Sequence, residues 1–361
     1  MTGGRIRGFD GLRAVAIVLV ILWHTKTVFG FRSLGVLDLL VNAGWAGVDL
    51  FFGLSGFLIT SLILGEERDT GRFRIRDFYA RRVLRIFPPY YTVLLVTGLV
   101  LSRFAVFRSA HWPWDEPQPL YVASFAFLFS NYLDLDPIGL AYIVNWSLCV
   151  EEHFYLFWPT ALLLLRSRSA RVIFGLAVCT LVPLLRFDAL GLMEPHRVHS
   201  LSHLRIDSIL WGALAALLFA WLTKHPRVRR SVLYASAVTA LFFLGPELSF
   251  WGYFVGLTAL AIAVAAFVSN IAATPESWLV TLLEARPLRA VGKVSYGMYL
   301  LHFQALDVVR ALAPPGLPQV LAFVLFAACA IALTWGAAAA MYRLVEQPAL
   351  RLKRHFAGGP G

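Results

Sequence analysis

Three sets of side chains in this sequence have the types and spacing to do chemistry. Arg13 and His24 are eleven residues apart in an apolar stretch. On a helix that is about three turns, so both point the same way with roughly 16 Å between them. Asp10 joins that face three residues before Arg13. The arrangement puts a cation near one mouth of the helix and a titratable imidazole deeper along the same wall. Another reading of His24 is a histidine satisfied at an interface near the far end of its helix. The second set is Glu151 and Glu152, adjacent acids in Asn145-Trp146-Ser147-Leu148-Cys149-Val150-Glu151-Glu152-His153-Phe154-Tyr155. Neighbours on a helix diverge by about 100°, so Ser147, Glu151, Tyr155 and Trp158 share one stripe while Asn145 and Glu152 share another. A carboxylate that meets an imidazole can set its tautomer and raise its basicity, which is what general acid–base chemistry needs. A pair solvated at the outer interface by headgroups and water is the alternative. The third set is Arg82 and Arg85, one turn apart, a fork suited to phosphate oxygens and equally to anionic headgroups.

Further ionisable groups lie in apolar surroundings. Asp49 sits among small residues in Gly44-Trp45-Ala46-Gly47-Val48-Asp49-Leu50-Phe51-Phe52-Gly53-Leu54-Ser55-Gly56-Phe57 and needs a partner, which Arg13 or His24 could provide. The glycines read as packing positions that let helices approach closely. Arg205 and Asp207 are candidates for substrate contacts or for a helix-terminus ion pair. Ser295, Tyr299 and His302 share a helical face at i, i+4 and i+7. His196, His199 and His203 have spacings compatible with a metal, but no carboxylate or cysteine completes the shell at matching spacing, so no metal is expected. Glu346 reads as a charged helix end. Cys149, Cys179 and Cys329 each stand alone in apolar sequence and read as packing residues.

The elements that must position these groups are membrane helices. The sequence is 59% hydrophobic and 15% charged, against about 45–50% and 25% in soluble domains. Its apolar blocks predict spans at 9–29, 43–64, 88–105, 145–165, 171–187, 205–223, 231–248, 251–270, 288–308 and 319–343. An eleventh block, 120–133, is short. Basic residues cluster at Arg5/Arg7, 68–85, Arg166/Arg168/Arg171, 224–230, Arg286/Arg289/Lys293 and Arg351/Lys353/Arg354. Ten crossings put every cluster on one side, whereas counting the eleventh block splits them. The expected fold is therefore all-α, a polytopic bundle of about ten spans with both termini cytoplasmic. Residues 106–144 form an outward excursion with a partly inserted segment near 120–133, and 188–204 and 309–318 also face outward. The basic stretch 66–87 is expected to be a cytoplasmic amphipathic helix or hairpin ending at the helix-breaking pair Pro88-Pro89. Residues 1–350 read as one integral-membrane domain, followed by a short basic and Gly/Pro tail at 351–361. The first block, with Arg5 and Arg7 ahead of it and no small-residue cleavage site after it, reads as a retained helix. The net charge of +11 lies in short runs between spans, so it marks topology and not nucleic-acid binding.

With these residues in place, the chain resembles the integral-membrane acyltransferase 3 family over nearly its whole length. The matching motifs occur in order: Phe9-Asp10-Gly11-Leu12-Arg13-Ala14 through His24; Gly47-Val48-Asp49-Leu50-Phe51-Phe52 to Gly56-Phe57; Tyr79-Ala80-Arg81-Arg82-Val83-Leu84-Arg85-Ile86-Phe87-Pro88; Trp146-Ser147-Leu148 to Glu151-Glu152 with Phe154-Tyr155; and Val294-Ser295-Tyr296 to Tyr299-Leu300-Leu301-His302. The resemblance implies a membrane O-acyltransferase using acyl-coenzyme A, usually acetyl-coenzyme A, as co-substrate. Acceptors in the family are surface polysaccharides, peptidoglycan, lipid-linked glycans, or macrolides and other secondary metabolites. Carried over residue by residue, Arg13 and His24 match the Arg-ten residues-His motif. Arg82 and Arg85, with Arg81 beside them, match the Arg-x-x-Arg motif that engages coenzyme phosphates. Glu151 and Glu152 match the essential acidic motif. The chain departs from larger members in lacking a fused esterase-like domain, which implies that a second acyl-handling step needs a separate protein or that the integral domain acts alone.

The expected activity is acyl transfer through the membrane core of a bacterial cytoplasmic membrane, from cytoplasmic acyl-coenzyme A to a hydroxyl of a glycan or glycosylated metabolite. His24 serves as base or as transient acyl carrier. Glu151 or Glu152 orients the ring, and Asp49 or Arg13 tunes the local field. Ser147, Tyr155, Arg205, Asp207, Ser295, Tyr299 and His302 are the candidates for contacts to the acceptor. The competing class is a proton-coupled transporter or flippase with His24, Asp49 and Glu151 as a relay.

Overall fold

The structure is a computed structural model and describes residues 5–107, 119–133, 145–189, 191–193, 195–243 and 252–352. Every regular element among them is helical. In chain order the main helices are α1 (Phe9–Phe29), α2 (Gly47–Thr70), α3 (Ile75–Leu99), α4 (Pro119–Ala126) and α5 (Asn145–Leu164). Next come α6 (Arg168–Ala189), α7 (Pro195–Ser200), α8 (Ser202–Leu217), α9 (Phe219–Lys224) and α10 (Pro226–Phe243). The last are α11 (Leu257–Ala273), α12 (Trp278–Leu283), α13 (Arg286–Lys293), α14 (Ser295–Leu312) and α15 (Gln319–Met341), which continues through a wider turn at Tyr342–Glu346. Six segments among the described residues are long and apolar enough to cross a bilayer: Phe9–Phe29, Gly35–Thr70, Ile75–Arg103, Arg168–Ala189, Phe254–Ala273 and Gln319–Arg351. The other four expected spans are helical too, as α5, α8 with α9, α10 and α14. They are shorter or carry more polar residues. Most of the excursion 106–144, part of the outward segment 188–204, the end of the expected span 231–248 and the tail beyond Leu352 lie outside the described residues.

Two sequence expectations change, those for Pro88-Pro89 and for the span 288–308. Pro88 and Pro89 do not end a helix; α3 runs unbroken from the basic stretch into the apolar one. A proline deprives only the carbonyl four residues back of its partner, and this helix is held by packing and by side-chain bonds such as Thr92 Oγ1 donating to Pro88 O at 2.7 Å. The expected span 288–308 is two helices, because the chain departs from helical geometry at Val294, φ −109° and ψ 11°. Gly292 just before that break lies against the backbone of α1: a Cβ there would be 1.8 Å from the Asp10 carbonyl oxygen. Only glycine permits that approach. The block 120–133 contains an eight-residue helix, α4, about 12 Å long, and then a turn at Leu128 with φ +57°. No continuous crossing helix occupies it.

The chain divides into two compact units. One comprises Met1–Phe9, Val48–Phe73 and Trp146–Ala285. Within it α2 runs parallel to α5, since Ser55 meets Glu151 and Thr60 meets Trp158. It also runs parallel to α8, where Asp49 meets Arg205 and Gly56 abuts Ile209. Helices α6 and α8 are antiparallel: Arg168 bonds the Leu217 carbonyl, and Arg186 bonds that of Leu204. The α2/α8 approach is close. A Cβ on Gly56 would stand 2.0 Å from the Ile209 carbonyl oxygen, so any side chain pushes the helices apart. Gly56→Val is expected to lose at least about 1–3 kcal/mol of stability by overpacking, read as a lower thermal midpoint in detergent. Gly336→Ala is the control, because nothing stands within 4 Å of its Cβ position and alanine favours the helix.

The second unit comprises Asp10–Gly47, Arg74–Asn145 and Arg286–Gly361. Here α1 runs parallel to the α13–α14 segment, as Asp10 meets Gly292 and His24 meets His302. Helix α3 is parallel to α14. Tyr296 Oη donates to Ile86 O at 3.3 Å, and the Thr97 hydroxyl and Gln304 amide bond at 3.0 Å.

Candidate active site

The candidate residues fall into two sets, one in each unit. The second unit holds Arg13, His24, Arg81, Arg82, Arg85, Ser295, Tyr299 and His302; the first holds Asp49, Ser147, Glu151, Glu152, Tyr155, Arg205 and Asp207.

In the second unit, α1 and α14 bring two imidazoles together. His302 Nε2 lies 3.2 Å from His24 Nδ1, and His302 Nδ1 lies 2.7 Å from the Tyr299 carbonyl oxygen. Aromatic rings wall the pair: Trp23 and Phe303 each stand 4.7 Å from the His24 ring centroid. His302 is wholly buried, while His24 keeps some exposed surface. Ser295 and Tyr299, also buried, sit on the same helix at the spacing the sequence predicts. Arg13 Nη1 reaches Asp10 Oδ1 at 3.3 Å, the i, i+3 contact anticipated on α1.

The arginines occupy the first half of α3, so Arg82 and Arg85 are one turn apart on an unbroken helix. The Arg82 guanidinium sits 5.7 Å from the centroid of Phe78, four residues earlier, which fixes the root of the fork. Arg85 is exposed and acts electrostatically on Glu346, a buried acid just past α15.

In the first unit, the stripe expected on α5 faces α2. Ser55 Oγ and Tyr155 Oη both donate to Glu151 Oε1, and Trp158 Nε1 donates to Thr60 Oγ1 at 2.8 Å. Two hydroxyl donors on one oxygen orient the Glu151 carboxyl group. Ser147 is buried on the same stripe, and Glu152, on the adjoining one, is partly exposed. His153 Nδ1 lies 2.7 Å from Ser202 Oγ.

Asp49 has a partner that spacing along the sequence did not indicate. Instead of Arg13 or His24, Arg205 Nη2 donates to its Oδ1 at 2.7 Å, with both side chains buried. The guanidinium lies 5.9 Å from the ring centroids of both Phe52 and Trp146, a cation–π clamp. The His199 ring packs against Trp146 at 4.9 Å. Burial, and then the positive charges of Arg205 and Arg186, hold that imidazole well below its ordinary value, so it is neutral at physiological pH.

Asp207 forms an ion pair too, with Arg186 and not with its neighbour Arg205. Both Arg186 Nη atoms bond it, at 3.0 and 2.8 Å, and both side chains are fully buried. Sequence reasoning overlooked Arg186. The signal was an arginine near the end of an apolar stretch, costly in lipid unless paired.

The sequence profile of the acyltransferase 3 family, described as an acyltransferase domain, matches residues 6–340. The peptidoglycan O-acetyltransferase OatA of Listeria monocytogenes is 28% identical over 363 residues, covering 95% of this chain and 55% of that protein. The O-acetyltransferase OatA of Staphylococcus aureus is 26% identical over 365 residues, covering 94% of this chain and 56% of that protein. The chain thus spans about half the length of these curated relatives. No solved structure matches it. The profile match includes His24, both arginines of the α3 fork, both acids of α5 and His302, and by its extent the chain belongs to the acyltransferase 3 family.

Proposed function

We propose that this protein is a membrane O-acetyltransferase that moves an acetyl group from cytoplasmic acetyl-coenzyme A to a hydroxyl of a cell-envelope glycan, with His24 as the reacting imidazole. The observation that carries the reading is the His24 ring, held by a second imidazole and walled by aromatic rings on a membrane helix, in a chain of this family. The names of the two relatives support acetyl as the group and, for the listerial protein, peptidoglycan as the acceptor. No described contact favours a transporter.

The chemistry balances in either of two ways. As a base, His24 takes the proton of the acceptor hydroxyl while its oxygen attacks the thioester carbonyl; the carbon–sulfur bond breaks and the thiolate leaves with that proton. As a carrier, the imidazole attacks the thioester, the carbon–sulfur bond breaks and the thiolate leaves with the imidazole proton; the hydroxyl then attacks the acyl-imidazole, the carbon–nitrogen bond breaks and the ring takes the hydroxyl proton. Arg82 and Arg85, with Arg81, hold the coenzyme phosphates. Glu151 or Glu152 polarises the reacting group or the acceptor. Ser147, Tyr155, Ser295 and Tyr299 offer hydroxyls to the acceptor, and the Asp49–Arg205 and Arg186–Asp207 pairs tie α2 and α6 to α8.

The proposed topology has ten crossings, both termini cytoplasmic, in the bacterial cytoplasmic membrane. Helix directions support the count. Taking α1, α2, α3, α5, α6, α8, α10, α11, α14 and α15 as successive crossings, every parallel pair (α1/α14, α3/α14, α2/α5, α2/α8) is an even number of crossings apart. The antiparallel pair α6/α8 is one apart. Counting α4 as a further crossing would break all four parallel pairs.

Mass spectrometry of wall polymers and secreted products from cells with and without this protein tests the function. Loss of acetyl groups from one glycan is expected, together with consumption of acetyl-coenzyme A by proteoliposomes given that glycan. An unchanged acetyl profile with no coenzyme consumption would sink the proposal.

A further inference from the structure

We infer that His302 is a positioning residue that holds His24 in the tautomer with its proton on Nδ1, so that Nε2 carries the lone pair that reacts. The inference rests on the reading of His24 as the reacting imidazole and adds to it which nitrogen reacts and what selects it.

The argument is a hydrogen-bond count. A carbonyl oxygen only accepts, so His302 Nδ1, 2.7 Å from the Tyr299 carbonyl, must carry a proton. A neutral imidazole has one N–H, so His302 Nε2 is then an acceptor. The nitrogen 3.2 Å from it is His24 Nδ1, and two facing lone pairs would repel, so His24 Nδ1 must be the donor, its proton shared with the Val20 carbonyl one turn back on α1. His24 Nε2 is left with its lone pair. The opposite assignment needs protons on both nitrogens of His302, which is a cation on a fully buried ring with no carboxylate among the described residues hydrogen-bonded to it. Burying an uncompensated charge is far costlier than choosing a tautomer.

Selection is needed because imidazole in water does not favour this tautomer by itself, and a ring in the wrong one presents N–H to the substrate instead of a lone pair. The order from carbonyl to His302 to His24 also keeps protons balanced during transfer. When His24 Nε2 takes the hydroxyl proton, Nδ1–H still donates to His302 Nε2 and shares the charge. When the thiolate leaves with the Nε2 proton, both rings return to their starting state. Tyr299, through its main-chain oxygen, anchors the series, and α14 places it three residues before His302.

The test uses the full chain in lipid nanodiscs with histidine ring nitrogens labelled by ¹⁵N. His24→Gln identifies the His24 signals by their disappearance. In the wild type, Nδ1 of His24 should give the protonated type of resonance and Nε2 the unprotonated type. His302→Phe should reverse or mix the two and lower kcat by about 100-fold, with KM for acetyl-coenzyme A little changed. His302→Gln, whose amide oxygen accepts from His24 Nδ1, should restore most of the rate and the original ¹⁵N pattern. A wild-type His24 with its proton on Nε2, or a pattern unmoved in His302→Phe, overturns the inference whatever the rates. A pattern that switches while kcat stays at the wild-type level upholds the tautomer assignment and overturns the reacting role of His24 instead.

Discussion

His24→Ala is expected to reduce acetyl transfer to background while leaving the protein inserted and folded. General acid–base assistance alone accounts for about 10²–10⁴-fold, and a covalent acyl-imidazole would add the loss of the attacking atom itself. The side chain lies on α1, whose membrane character comes from the flanking apolar residues, so insertion does not depend on the ring. Removing it leaves a gap beside Trp23, Phe303 and His302, which costs packing but exposes no charge. The measurement is turnover of acetyl-coenzyme A by purified protein, paired with elution volume and thermal midpoint to certify the fold. A variant that is well folded and still active would remove the imidazole from the mechanism and leave the arginine and glutamate motifs without a reacting centre.

What the sequence disclosed, and what it did not, follows from the range of the forces involved. Periodicity along one helix is a local property, and it placed Ser295, Tyr299 and His302 on a single helix and turned Glu151 and Trp158 toward α2. The i, i+3 contact of Asp10 with Arg13 is local in the same way. Which helix faces which is decided by packing over hundreds of residues. His24 and His302 are 278 residues apart, and Asp49 and Arg205 are 156 apart, so nothing in either neighbourhood announces the other. The glycines marked as packing positions did not say for whom; Gly56 turns out to admit α8 and Gly47 to admit α1, each where a Cβ would strike a carbonyl oxygen. Pro88-Pro89 misled for a related reason. The rule that proline breaks helices weighs the lost backbone bond in isolation, whereas a helix lodged among others has tertiary contacts to hold it through the gap.

Asp207→Ala is expected to be the most destabilising single substitution in the first unit. Arg186 lies at zero exposure with its two Nη atoms on Asp207, while its other bonds go to the Leu204 carbonyl and to Thr258 Oγ1, at 3.0 and 2.5 Å. Those two neutral acceptors cannot balance a guanidinium. Removing one partner of a buried ion pair costs about 3–5 kcal/mol, because the remaining charge stays buried and unpaired. The loss should extend beyond α8, since Arg186 stands on α6 and Thr258 on α11, and the same cation joins α6 to both α8 and α11. Thermal denaturation in detergent should show a large drop in midpoint, or the variant should fail to accumulate in the membrane. The double substitution Arg186→Met with Asp207→Leu decides what the pair is for. If it is a structural clamp, matched apolar side chains should recover most of the stability, as replacement of a buried pair often does, and acetyl transfer should return with the fold. If stability returns and transfer does not, one of the two charges acts on the reaction, and Asp207 keeps the substrate-facing role that the sequence suggested for it.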